Sequence, residues 1–243
     1  MTSKATDGQP ESDPAPDSTA DSSGASGGKA TGRDWWISLN VTRTRITLLG
    51  FNLSVVAFMV GILLADTQEK AFGVHLPAMS ALYVSFLTTM ISVGCLLASQ
   101  ELDRVGLSKP WSFAIGDVLM YLAMSQSVSG FTRKYLSGIH EAIDAIHREH
   151  LPLVEFGGFL TTALASVGVL GWALLTYVGP LVSIAKSPVP KGGRKVLFAL
   201  YVVLLLCVFY IATQAHILQD AVLGDYQEPW SIFLYQFVQP LAF

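Results

Sequence analysis

Charged residues are scarce in this chain: Asp, Glu, Lys and Arg make up 14% of its 243 residues, whereas an ordinary soluble domain contains roughly 25%. The charges are missing in blocks, which leaves apolar runs of the length, about 20 residues, that crosses a bilayer. The formal net charge is -3, and no clustered basic face is present, which excludes nucleic acid as an expected partner. The composition therefore predicts an integral membrane protein.

The sequence has only two cysteines and no recognisable enzyme motif. Cys95 and Cys207 both fall inside apolar runs, where a thiol usually acts as a small packing residue. They are far apart and form no CxxC pair, which argues against a disulfide framework and against a thiolate metal site. The chain has no glycine-rich phosphate loop, nucleophile elbow or kinase motif, and no pair of mid-span histidines suited to a b-type haem. We therefore expect no catalytic residue.

The first 32 residues are mostly Ser, Gly, Asp, Pro and Ala, with no aromatic side chain. Such a segment cannot bury enough apolar surface to offset the entropy of ordering it, so residues 1–32 are predicted to be a disordered tail. The tail shows neither a secretory signal nor a transit peptide pattern. In residues 33–45, Trp35 and Trp36 are bracketed by arginines, a pattern typical of an interfacial anchor before a first span.

The apolar runs within residues 46–225 predict an all-α, polytopic transmembrane helical bundle. Five spans are expected at about residues 46–65, 78–99, 111–131, 156–185 and 196–215. The third is the least hydrophobic, and a partial insertion of this segment would leave four spans as the alternative. The fourth is long, which predicts a tilt or a kink near Pro180. Residues 226–243 are aromatic but too short to cross, and they predict an interfacial C-terminal segment.

Basic residues predict the orientation of the bundle. With five spans and a cytoplasmic N-terminus, the basic residues within 33–45, 104–109 and 186–195 all lie inside, as the positive-inside rule requires. If the third segment did not cross, the basic loop at 186–195 would lie outside. We therefore expect the C-terminus on the outer side, together with all five histidines of the chain.

The stretch GIHEAIDAIHREH, residues 138–150, suggests a metal site. If it is helical, its histidines and Asp144 form a stripe at helical spacing, and such groups chelate zinc, copper or iron. The candidate ligands are His140, Asp144, His147, His150, His75 and His216. The alternative, an amphipathic surface helix, is favoured because neither HExxH nor a second histidine box is present. A transition metal is the one cofactor that the sequence suggests.

Asp117 stands out more sharply, because a carboxylate within a span costs about 2.5 to 3.5 kcal/mol on an insertion scale and normally faces a partner or a water path. One interpretation is a polar lane for a proton or a cation, formed with Ser125, Gln126 and Ser129. The interpretation that we favour is a structural ion pair with Arg45, which lies near the same end of the bundle.

The fourth span is dense in small residues, which allow helices to approach closely in lipid. The candidate helix-packing positions are Gly158, Ala165, Gly168 and Gly171. This face is expected to pack within the chain or against another subunit.

The segment TRTRITLLGF places Arg45 at the start of the first span, and GDVLMYLAMSQSVSG places Asp117 at the start of the third. This arrangement resembles the pattern of the Casparian-strip and MARVEL-type four-span membrane scaffolds. The resemblance extends over residues 43–186 and implies assembly into membrane domains. The fifth span and the aromatic C-terminal segment depart from the pattern.

These observations predict a non-catalytic multi-pass membrane subunit that scaffolds or stabilises a larger membrane complex. Its expected partners are membrane lipids and either other membrane subunits or further copies of itself. Two alternatives stay open. One is a small ion or proton conduit that uses Asp117, and the other is a membrane metal-binding protein or metalloenzyme subunit that uses the outer histidines.

Overall fold

The computed structural model describes residues 32–69, 75–106, 110–145, 151–223 and 228–238. Within these ranges the chain is helical and contains no strand, which confirms the predicted all-α membrane bundle. The predicted disordered tail, residues 1–32, lies outside the described part except for its last residue. The helices are α1 Gly32–Glu69, α2 Leu76–Arg104, α3 Pro110–Ala145, α4 Leu151–Ala173, a π-helical turn Leu174–Val178, α5 Gly179–Lys186, α6 Lys191–Leu223 and α7 Pro229–Val238.

Four stretches in the described part are long and apolar enough to cross a membrane: Val41–Ala65, Leu76–Arg104, Phe156–Lys186 and Lys191–Val222. They contain the predicted spans at 46–65, 78–99, 156–185 and 196–215, and they support an integral membrane protein. Helix α3 does not reach this apolar content, so length and composition alone agree with the four-span alternative. Residues 33–45 continue into the first span as one helix, α1.

Helix α3 lies in the middle of the bundle, in contact with α1, α2, α4, α5 and α6. Two hydrogen bonds show that it runs antiparallel to α2. The Ser92 hydroxyl donates to the Gly116 carbonyl (2.6 Å), and the Ser85 hydroxyl donates to the Ala123 carbonyl (2.8 Å). A helix surrounded by protein presents little surface to lipid, so it tolerates polar side chains that a lipid-facing helix does not. This position explains the weak hydropathy of the third predicted span.

The same helix runs antiparallel to α4 and α5 over most of their length. Gly157 lies against Ile143 at one end and Gly179 against Tyr121 towards the other, and the Ser183 hydroxyl donates to Asp117 a turn further on. From residue 117 to residue 143 the helix rises about 39 Å at 1.5 Å per residue, more than the hydrocarbon thickness of about 30 Å. Helix α3 is therefore as long as its spanning neighbours.

The irregularity expected near Pro180 takes the form of the π-helical turn. The Gly179 N–H donates to the Leu174 carbonyl, five residues back, and Pro180 has no N–H to give to the carbonyl of Thr176, four residues back. The Tyr201 hydroxyl of α6 donates to that carbonyl instead. The Thr176 carbonyl therefore still accepts a hydrogen bond, because the Tyr201 hydroxyl of α6 replaces the backbone N–H that the proline lacks.

Helix α7 folds back along the bundle. The Phe237 ring packs on Phe209, in the middle of α6, with ring centroids 4.6 Å apart, and the Tyr177 hydroxyl donates to the Phe237 carbonyl (2.9 Å). The buried Arg133 of α3 donates to Gln236 Oε1 (2.9 Å). The aromatic C-terminal segment is thus docked on its own chain through one face, while Trp230 and other large side chains of its opposite face are exposed.

Candidate functional site

Arg45 and Asp117 form an ion pair at the basic end of the bundle, which we define as the end where the apolar part of α1 begins, α3 begins and α5 ends. Arg45 Nε lies 2.7 Å from Asp117 Oδ1. The pair forms because α1 and α3 run parallel, so that two residues near the starts of their apolar stretches lie side by side. The structure thereby brings together the two charges that the favoured interpretation requires.

The carboxylate of Asp117 is held by a third helix as well. The Ser183 hydroxyl of α5 donates to Asp117 Oδ2, while Asp117 Oδ1 is ion-paired with Arg45 and has no hydrogen-bond partner among the described residues. The Asp117 side chain is 4% exposed and that of Arg45 is 21% exposed. A buried carboxylate needs a partner of opposite charge and further hydrogen bonds, and α1, α3 and α5 are tied together by the contacts that supply them. Sequence reasoning missed Ser183, because a serine near the end of a span carries no local signal of a distant partner.

Aromatic rings surround the ion pair. The Arg45 guanidinium carbon lies 4.5 Å from the centroid of the Phe113 ring, a cation–π distance. The Tyr121 ring occupies the space beside Gly179, where a Cβ atom would lie 2.4 Å from Tyr121 Cδ1. Close contact between α3 and α5, which Ser183 needs to reach Asp117, therefore depends on a residue without a side chain at 179.

A cavity of about 260 Å³ lies beside the ion pair. Arg45, Asp117 and Tyr121 line one part of it, and Lys186 and Ser187 line another. Arg45 Nη1 is buried and has no hydrogen-bond partner among the described residues. The site therefore contains a second cation, Lys186, and an unused guanidinium donor next to a polar space.

The predicted polar lane is only partly a connected network. Ser125, Gln126 and Ser129 are all buried, but the Ser125 hydroxyl donates to the Leu122 carbonyl of its own helix (2.9 Å). A hydroxyl that donates to a carbonyl of its own helix does not need an acceptor on another residue or helix. We therefore find no bond from Ser125 that would extend the lane towards Asp117.

A different set of polar groups joins α1, α2 and α3 in the bundle interior. The Asn52 amide nitrogen lies 3.3 Å from Ser85 Oγ and 3.0 Å from Thr89 Oγ1, and Ser85 Oγ lies 2.6 Å from Ser127 Oγ. Sequence reasoning missed this cluster. The signal was Asn52, because an amide within a first span needs partners from neighbouring helices, whereas serine and threonine give no such signal.

The candidate metal ligands contact helix α3 or lie in α6 where the structure describes them. His140 Nδ1 lies 2.9 Å from the carbonyl oxygen of Leu136, and His75 Nε2 lies 3.3 Å from Ser137 Oγ. His216 lies within α6. Among the described residues, no group of three His, Cys, Asp or Glu side chains is placed to hold a metal ion. His147, His150 and the side chain of Asp144 lie outside the described part, so the metal prediction is not tested there.

The candidate packing positions of the fourth span lie in different environments. Gly158 and Gly171 face open space, since a Cβ atom added at either residue would have no neighbour within 4 Å, while Ala165 and Gly168 are half-buried. The glycines that allow close approach to α3 are instead Gly157 and Gly179: a Cβ at 157 would lie 2.8 Å from Ile143 Cγ1. The pattern of small residues predicted close contact, but not which glycine makes it.

The fold and the ion pair define a polytopic helical membrane protein in which the buried Asp117 is paired with Arg45 of another helix. Comparison of the chain with protein-family models, with curated proteins and with solved structures finds no match. The similarity to Casparian-strip and MARVEL-type scaffolds therefore rests on the positions of Arg45 and Asp117.

Proposed function

We propose that this chain is a non-catalytic multi-pass membrane subunit that stabilises a larger membrane complex, and that it docks onto a partner through one face of α4. The observation that carries the proposal is an exposed row of small residues on that helix, Gly158, Thr162 and Ser166. We call this row the α4 small face.

The α4 small face has the surface that helix association in lipid requires. Its residues recur every four positions and therefore lie on one side of the helix. The Thr162 hydroxyl donates to the Gly158 carbonyl (2.9 Å), and the Ser166 hydroxyl donates to the Thr162 carbonyl (2.8 Å). Since the hydroxyls are satisfied within the helix, the face offers a shallow surface on which a second backbone approaches closely.

The environment of Asp117 supports a static subunit over a conduit. Both carboxylate oxygens are engaged, one by the guanidinium of Arg45 and the other by the Ser183 hydroxyl. A carboxylate that carries protons or cations has to exchange its partners during each cycle, whereas this one links three helices. We assign Asp117 to the stability of the bundle.

We further propose five spans with the N-terminus in the cytoplasm and the C-terminus on the outer side. Helix α3 lies alongside the spanning helices over about 39 Å, which supports its crossing the membrane. The starts of α3 and α6 meet at the basic end, where a Cβ at Gly193 would lie 2.7 Å from the Trp111 ring. Arg104, Lys186 and Lys191 then share one side, which the positive-inside rule assigns to the cytoplasm.

The test compares two glycines that both face open space, Gly158 on the α4 small face and Gly94 on α2. The wild-type chain, extracted gently from its native membrane, is expected to migrate as a complex larger than one chain on native gels. Gly158→Leu should reduce that size, since a leucine separates the two backbones, whereas Gly94→Leu should leave it unchanged. A wild-type chain that runs alone, or equal behaviour of the two variants, contradicts the proposal.

A further inference from the structure

The polar cavity beside Arg45 and an apolar groove between α1 and α3 lie about one helical turn apart along these two helices. We propose that the two together hold one membrane phospholipid, with its phosphate diester against Arg45 and Lys186 and an acyl chain in the groove. This inference does not depend on the proposed docking through α4, because it concerns a different surface.

The cavity lies at the depth of lipid headgroups. Lys186 is the last residue of the candidate span Phe156–Lys186, and Arg45 follows the start of the span Val41–Ala65 by four residues, a rise of about 6 Å. Both cations are therefore near the end of the hydrocarbon region, where arginine and lysine meet headgroups. Basic pockets between spanning helices are a known form of headgroup site.

The charges of the cavity match a phosphate diester. Arg45 uses Nε for Asp117, while its Nη1 remains buried without a hydrogen-bond partner among the described residues. Lys186 adds a second cation to the lining. With Asp117 as the one carboxylate in that lining, the site carries one excess positive charge, and a phosphate diester carries one negative charge. Guanidinium and ammonium groups are also the donors that phosphate oxygens accept most strongly.

The groove begins one helical turn beyond the cavity, at Leu48 after Arg45 and at Met124 after Tyr121. It has a volume of about 340 Å³, and its apolar lining comes from Leu48, Phe51, Val55, Met124, Val128 and Phe131. Its two polar lining residues, Asn52 and Ser127, are engaged with Ser85. A surface that suits hydrocarbon therefore lies one helical turn from the headgroup cavity.

The cavity and the groove together extend over one leaflet. From Tyr121, beside the cavity, to Phe131, at the far end of the groove, α3 rises about 15 Å, which is half of the hydrocarbon thickness of about 30 Å. The groove alone, from Met124 to Phe131, accounts for about 10 Å of this rise. The groove is a gap of about 340 Å³ between the side chains of two adjacent helices, whereas a helix is about 10 Å across. The groove therefore suits a single acyl chain.

The experiment is native mass spectrometry of the full chain, purified in mild detergent and titrated with dioleoyl phosphatidylglycerol or with inorganic phosphate. Lys186→Gln removes the cavity lysine, and Lys191→Gln is its matched control, since both lysines are exposed at the basic end. Leu48→Trp fills the groove, and Leu97→Trp places the same ring on α2. Leu48 is 38% exposed and Leu97 is 47% exposed, so neither substitution enters the core.

The proposal predicts one tightly bound phosphatidylglycerol on the wild-type chain. Lys186→Gln should weaken its binding about fivefold, which corresponds to one lysine near a lipid headgroup, and Leu48→Trp should weaken it as well, while both controls bind as the wild type does. Equal weakening by Lys186→Gln and Lys191→Gln would indicate a general surface charge and overturn the site. Binding of inorganic phosphate as tight as that of the lipid would overturn the lipid assignment, and so would a wild-type chain that retains no lipid.

Discussion

Substitutions of Arg45 and of Asp117 should lower the stability of the protein by different amounts, although the two residues form one ion pair. The two side chains differ in exposure, 21% for Arg45 and 4% for Asp117. Arg45→Met leaves a buried carboxylate whose remaining partner is the Ser183 hydroxyl. Asp117→Asn leaves a guanidinium that borders a polar cavity and keeps the shape of the carboxyl site. Arg45→Met therefore leaves the less accessible charge, the Asp117 carboxylate, without its counter-ion. We expect this substitution to destabilise the protein more than Asp117→Asn does.

The structure sets the size of each effect. Removing one partner of a buried ion pair costs about 3 to 5 kcal/mol, and we assign this range to Arg45→Met. For Asp117→Asn we expect about 1 to 3 kcal/mol, the cost of a polar group left without its partner, because solvent and headgroups screen the more exposed Arg45. The double variant contains neither charge, so its loss should be smaller than the sum of the single losses by about 1 to 3 kcal/mol.

The free energy of unfolding is measured by titrating mixed detergent micelles with sodium dodecyl sulfate. Unfolding is followed by the fluorescence of the five tryptophans, of which Trp172 reports on the core, since its side chain is 1% exposed and packs on Phe209. Far-ultraviolet circular dichroism, followed in parallel, checks that the loss of tertiary structure and the loss of helix coincide. If Asp117→Asn destabilises the protein more than Arg45→Met, or if the two losses add to within about 0.5 kcal/mol, the pair does not carry the structural role that we assign to it.

Two further predictions concern the contact of Gly179 with Tyr121 and the hydrogen bond from Tyr201 to the π-helical turn before α5. Gly179→Ala should lower the free energy of unfolding by about 1 to 3 kcal/mol because of overpacking, since its methyl group would lie 2.4 Å from Tyr121 Cδ1. Gly94→Ala faces open space and should leave the stability equal or raise it by up to about 1 kcal/mol; the same titration compares the two. Tyr201→Phe leaves the carbonyl four residues before Pro180 unpaired and should cost about 1 to 3 kcal/mol. Adding Pro180→Ala should recover part of that loss by restoring a backbone donor, and a double variant no more stable than Tyr201→Phe would refute this reasoning.

Much of the fold was predictable because the relevant signal is local. Four predicted spans fall within the apolar helices of the structure, for example 78–99 within Leu76–Arg104. The helices extend beyond the predicted bounds, since polar residues at the ends of a span also continue a helix. Helix α3 differs most, because it was predicted as a span of 111–131 and continues to Ala145. Residues 138–145, the first part of GIHEAIDAIHREH, are therefore the end of this long helix.

The candidate site was predictable only in part. Asp117 drew attention because a carboxylate in an apolar segment is costly wherever it lies, and Arg45 was a basic residue expected near the same end of the bundle. Ser183 and Lys186 come from a helix more than 60 residues further along the chain, and no sequence pattern links them to Asp117. The glycine that allows their approach, Gly179, is one of many in the fourth span.

The sequence by itself determined that this is a helical membrane protein, which of its segments are apolar enough to cross, and that Asp117 needs a partner. These properties follow from composition and periodicity over about 20 residues, the length over which a bilayer selects helices. Only the tertiary structure decided that α3 lies at the centre of the bundle, that Asn52 bonds to α2, and that Asp117 is held from two sides. Such contacts depend on which helices become neighbours, and that is determined by packing between distant segments of the chain.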